Sequence, residues 1–114
     1  MKDPKFMAKI LAEQIEPNFK QIHGDRYELQ IVNDIDSILG HASYSFFFMR
    51  QPKNGSKIIS PVLHILDSNL EELEATLKEF EKYYQFTRVY RGFVGELWPS
   101  NGRPIQKKKA PDEL

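Results

Sequence analysis

Residues 42–66 leave few options for a chain of this size. Two runs rich in aromatic and β-branched residues, Tyr44-Ser45-Phe46-Phe47-Phe48-Met49 and Ile58-Ile59-Ser60-Pro61-Val62-Leu63, flank a polar stretch carrying Pro52 and Asn54-Gly55. Asn-Gly supplies the φ > 0 conformations a tight turn between antiparallel strands needs, so this pattern predicts a hairpin. Residues 46–49 are apolar on both faces, the pattern of a strand inside a sheet or covered twice. Pro61 has no N–H to give a ladder, which places the second strand at an edge or on a bulge.

The remaining elements extend or cover this hairpin. Asp3-Pro4 reads as a helix start, an acceptor at the cap and proline in the first turn. Phe6, Met7, Ile10, Leu11 and Ile15 then recur on one helical face. Pro17 interrupts that helix near Glu16, after which Phe19 and Ile22 continue the stripe to Gly24. Tyr27, Leu29 and Ile31 alternate with Arg26, Glu28 and Gln30 as a half-buried strand, and residues 33–37 read as a turn. The hairpin strands follow over 38–49 and 57–66. Small residues at Gly40, Ala42, Ser43 and Ser45 allow close approach to the sheet. Ser68 and Asn69, with Glu71 and Glu72 three residues on, carry a capping box. Leu70, Leu73, Leu77, Phe80 and Tyr84 then set out a second helix. A last strand is predicted over 87–98, bent or bulged at Gly92 and Gly95. The expected fold is α+β, order α-β-β-β-α-β, a mainly antiparallel four-stranded sheet with two helices on one face. Residues 1–102 form the domain, and 103–114, with three lysines and one isoleucine, read as a flexible basic tail. Strand four is free to pair with strand one or strand three.

Composition bounds the chemistry. The absence of cysteine excludes disulfides, thiolate metal sites and cysteine nucleophiles. No apolar run approaches the roughly 18 residues of a membrane span, and no signal-peptide pattern opens the chain, so a cytoplasmic location is expected. The 16 basic and 16 acidic residues cancel but are not mixed. Six acids face two lysines over 67–82, whereas only Glu96 opposes the cations of 83–109, so a polarised surface is expected.

No phosphate loop, nucleophile elbow or metalloprotease helix is present. His41 and His64 would need neighbouring strands and Asp36 or Asp67 to hold a metal. Scattered histidines in a sheet are more often ordinary hydrogen-bonded residues, so no cofactor or metal is expected. Asp34 with Asp36 suits a turn, and Glu71 with Glu72 suits a helix N-terminus, without acid–base work. The segment 91–95, Arg-Gly-Phe-Val-Gly, resembles the aromatic RNA-binding strand of RNA-recognition motifs, but those domains begin βαβ. The order α-β-β-β-α is similar to double-stranded-RNA-binding domains, yet acids stand where that family places lysines. The layout is also similar to type III secretion chaperones and to small toxin-immunity proteins, on architecture alone.

The leading expectation is a non-enzymatic protein-binding module, with Arg88, Tyr90, Arg91, Trp98 and Tyr44 as the partner patch, because Trp, Tyr and Arg dominate such sites. The alternative is nucleic-acid binding through Arg50, Lys53 and Lys57 at the hairpin tip, strand four, and Lys107, Lys108 and Lys109. A homodimer is the secondary expectation, since two helices cover only one face of the sheet.

Overall fold

A computed structural model of the chain describes residues 3–36 and 41–111, with the side chains of Ile35, Asp36 and His41 left undescribed. The order is α1 (Pro4–Ile15), β1 (Arg26–Asp36), β2 (His41–Gln51), β3 (Ile58–Ser68), α2 (Leu70–Phe80) and β4 (Thr87–Arg91). The sheet runs β3-β2-β1-β4. β1 pairs antiparallel with β2 and parallel with β4, so the sheet is mixed and the last strand joins strand one.

Both helices begin where side-chain chemistry dictates. The Asp3 carboxylate accepts from the Lys5 amide at 3.0 Å. The Asn69 side chain accepts from the Glu72 amide at 2.9 Å, and Ser68 Oγ donates to the Glu72 carboxylate at 3.0 Å. Caps of this kind satisfy orphan amides and contribute about 1 kcal/mol each. Pro17 ends α1 in a 3-10 turn, Glu16–Asn18, and Phe19 is extended rather than a further helical turn. Its ring inserts edge-on among Tyr27, Tyr84, Phe86 and Phe48, with centroids 4.9 to 6.0 Å away. The Tyr27 hydroxyl fixes the loop that follows, accepting from the Ile22 amide at 3.0 Å and donating to the Lys20 carbonyl.

The hairpin forms, but not on the expected Asn-Gly conformation: neither Asn54 nor Gly55 takes a positive φ, and Lys53-Asn54 are the central residues of the turn. The Gly55 amide returns to the Pro52 carbonyl at 3.1 Å, and β2 and β3 pair antiparallel. β3 is the edge strand, and the pairing register shifts beside Pro61, so proline and bulge coincide at the rim. Tyr44, Phe46 and Phe48 of β2 face Ala8, Leu11 and Ile15 of α1 and Leu73, Leu77 and Phe80 of α2, with Leu29 and Ile31 of β1 completing the core. The opposite face is less open than expected. Met49 is fully buried within the single chain, where the register sets it between Glu28 and Ile59.

Several boundaries differ from expectation. α2 ends at Phe80, short of Tyr84, which lies past a turn and packs on Phe86, and β2 runs on to Gln51. β1 continues through Asp36, because residues 33–36, expected to turn, pair with 41–44 of β2. β4 stops at Arg91, because Gly92 takes φ +81 and reverses the chain. The segment expected as a flexible tail lies on the domain over residues 103–110. The Arg88 amide donates to the Lys108 carbonyl at 2.8 Å and the Lys108 amide to the Arg88 carbonyl at 3.0 Å. Ile105 and Ala110 are buried.

Candidate functional site

Past Gly92 the chain makes a reversal over residues 96–105. Trp98 donates its amide to the Arg103 carbonyl at 2.9 Å, and Gly102 donates to the Trp98 carbonyl at 2.8 Å. The tip leans on α2 through Ser100, whose amide and hydroxyl donate to the two Glu74 carboxylate oxygens at 3.1 and 2.6 Å. The space between α2, β4 and this reversal is a groove of about 810 Å³. Its aromatic surface is Trp98, edge-on to Tyr90 at 5.5 Å, and both rings are half-buried. Glu71 and Glu74 line the helix side, with Lys78, Arg103 and Lys108 also at the groove.

Beside it lies a charge network. Arg88 is 8% exposed and donates to the Leu77 carbonyl at 3.1 Å and to Glu81 at 2.9 Å. A cation on a carbonyl of the last helical turn also suits the helix dipole. The same Glu81 oxygen accepts from Lys108 Nζ at 3.1 Å. Burial works to raise the Glu81 carboxyl, but the hydrogen bonds and charges of Lys108 and Arg88 outweigh it and hold it below the ordinary value. The Tyr90 phenol is pushed up by burial, while a hydrogen bond and the charge from Arg88 pull it the other way.

Of the five expected patch residues, Arg88, Tyr90 and Trp98 therefore meet in one groove. Arg88 arrives already committed, because a guanidinium this buried needs acceptors. Arg91 is exposed but lines no part of the groove. Tyr44 does not belong to the patch. It is 1% exposed and stacked on Phe93 at 6.0 Å, because alternation along β2 points it with Phe46 and Phe48 into the core. Its hydroxyl is raised to about 12 by burial first and then by Glu96 and Glu72.

The basic candidates divide. Arg50 is spent on Asp25, Nε to Oδ2 at 3.0 Å, with the carboxylate almost wholly buried. Lys53 stacks its aliphatic stem against Gly24, and Lys57 is exposed. The C-terminal lysines alternate as strand residues do: Lys108 turns to the groove, while Lys107 and Lys109 line a second cavity of about 910 Å³. Sequence reasoning missed this cavity. Its rings, Phe19, Tyr27, Tyr83, Tyr84 and Phe86, come from distant segments, and only the aromatic content near Phe86 hinted at it.

Asp34, Ser45 and His64 gather on the sheet face away from the helices. Ser45 Oγ donates to Asp34 Oδ2 at 2.5 Å, and His64 Nε2 stands 4.0 Å from the same oxygen. The hydroxyl bonds the carboxylate directly, and among the described residues no imidazole is hydrogen-bonded to it, unlike the serine–histidine pair of a hydrolase relay. Among the described residues no three histidine or acidic side chains converge as a metal site. The Asp36 and His41 side chains, named for such a site, lie outside the described residues. Among the described residues no helix is long and apolar enough to cross a membrane. No family model, no curated protein and no solved structure matches this chain, so the groove and the cavity stand on their own geometry.

Proposed function

We propose that this protein is a small binding module that docks a segment of another protein in the groove between α2 and the 96–105 reversal, without covalent chemistry. The observation that supports it is the pairing of half-exposed Trp98 and Tyr90 within a groove lined by both signs of charge. Rigid aromatic anchors with a mixed polar rim are the composition of interface hot spots. The arrangement is pre-organised: Ser100 on Glu74 holds the reversal, and Arg88 on Glu81 holds β4 to α2. A groove held open in advance loses less ordering entropy on binding.

The test is affinity capture from nuclease-treated extract, comparing the native chain with Trp98→Ala and Arg103→Glu. A partner held through the groove is expected to lose about 30-fold or more in affinity in Trp98→Ala, the scale of a hot-spot truncation. Equal recovery by the native chain and both variants, or recovery only before nuclease treatment, removes the groove as the docking site.

A further inference from the structure

The end of the sheet where β1 begins has a different character from the α2 groove. Register places Arg26 beside Gln51 and Arg50 beside Ile58, so the hairpin tip lies next to the loop before β1. Glu28 lies beside Thr87, whose side chain accepts from the Ala110 amide at 3.0 Å. Residues far apart in sequence, Lys53 at the tip and Lys107 and Lys109 in the C-terminal segment, therefore surround one end. Between them the cavity of about 910 Å³ is lined by aromatic rings. Tyr83 is half exposed, while Tyr84 and Phe86 stack on each other at 5.0 Å and hold the wall in place. Arg26, Lys107 and Lys109 are exposed and make no ion pair among the described residues. Asp25, the acid within the cavity lining, is consumed by Arg50 and the Lys53 amide.

We infer that this end is a second binding site, for single-stranded nucleic acid: a base enters the aromatic cavity, and the flanking phosphates meet Arg26, Lys53, Lys107 and Lys109. Cations alone would suit any polyanion. The ring-lined hollow between them favours a ligand with a flat π-face and a phosphate on each side. A duplex keeps its bases stacked inside and could offer the hollow nothing, so the ligand is single-stranded. The wall between this site and the α2 groove is one extended segment whose alternate lysines face opposite ways, so the two sites are separable by mutation.

The test titrates a fluorescent oligothymidylate with the full chain across a salt series, following anisotropy. Unlabelled duplex and linear polyphosphate serve as competitors. Binding is expected at low salt, with polyphosphate and duplex competing poorly. Lys107→Ala/Lys109→Ala is expected to flatten the salt dependence by about 1.4 in the log–log slope, two single-strand contacts at about 0.7 each. Tyr83→Ala should weaken binding by about 5- to 150-fold at unchanged slope, the range for one lost base–ring stack. Lys108→Ala, on the other side of the same segment, should leave affinity and slope unchanged. All the substituted residues are exposed, and melting curves check that each variant keeps the fold. The proposal is overturned by absent binding at low salt, by polyphosphate competing as well as the oligonucleotide, by Tyr83→Ala without effect, or by Lys108→Ala matching the Lys107/Lys109 pair. The polyphosphate outcome identifies a plain polyanion surface instead.

Discussion

The sequence offers Arg88 as a contact for a partner, and its position on β4 makes it a structural hub. Its guanidinium serves the Leu77 carbonyl and the Glu81 carboxylate, tying β4 to the end of α2. Arg88→Met keeps the volume, leaves the Leu77 carbonyl without this donor and takes one of two cations from Glu81, so we expect a loss of about 1–3 kcal/mol in urea unfolding. Lys108→Ala removes the exposed partner of the same carboxylate and should cost less than about 1 kcal/mol. The pH dependence has a definite sign. The folded Glu81 carboxyl titrates below the ordinary 4.5, so its contribution is full above that value. It is lost as pH falls through the depressed folded value. The stability gap between the native chain and Arg88→Met should therefore narrow in acid below the ordinary value, and a gap constant with pH would separate Arg88 from Glu81. The identity of the groove residues was legible because arginine, tyrosine and tryptophan are conspicuous. Which of them would be buried was not, because burial depended on where α2 came to rest.

At the scale of elements, one glycine decides where the sheet ends. Gly92 has φ +81, and a Cβ built on it would stand 2.9 Å from the Asn33 carbonyl oxygen. The Asn33 side chain also donates to the Gly92 carbonyl at 3.2 Å, so β1 holds the reversal in place. Gly95 has the same φ of +81 with nothing within 4 Å. Gly95→Ala should therefore lose only the left-handed backbone cost, about 1–2 kcal/mol, and Gly92→Ala about 2–4 kcal/mol by denaturation. Equal losses would mean that β1 yields to the added methyl. These two glycines were visible in the sequence as a bend or a bulge in a strand over 87–98. Only contact with Asn33, some sixty residues away in sequence, turns a bend into a stop. The hairpin, the caps of both helices and the edge position of Pro61 were readable because each depends on residues within one turn of each other. The end of β1 was not, since pairing with β2 carried the strand through aspartates that favour turns when considered alone.

For the molecule as a whole, the stretch after Gly102 is where local composition misled most. Three lysines, two prolines and one isoleucine describe a solvated tail, yet the backbone exchanges two hydrogen bonds with Arg88 and buries Ile105 against the core. Such pairing is invisible locally because it depends on chain reversals at Gly92 and over 96–105, each set by distant contacts. The consequence reaches both proposed sites, because this one segment is a wall of the α2 groove and of the aromatic cavity. Ending the chain after Gly102 should remove the Ile105 burial and the backbone pairing with β4 together. We expect a loss of at least about 2 kcal/mol, the worth of one buried large aliphatic side chain. The denaturant slope should also fall, because less surface is left to expose. The bared β4 edge would present unpaired amides and carbonyls, so concentration-dependent association should accompany the loss. A segment that merely trailed in solvent would give unchanged midpoint, slope and association. In that case the wall shared by the groove and the cavity would have no part in holding the domain together.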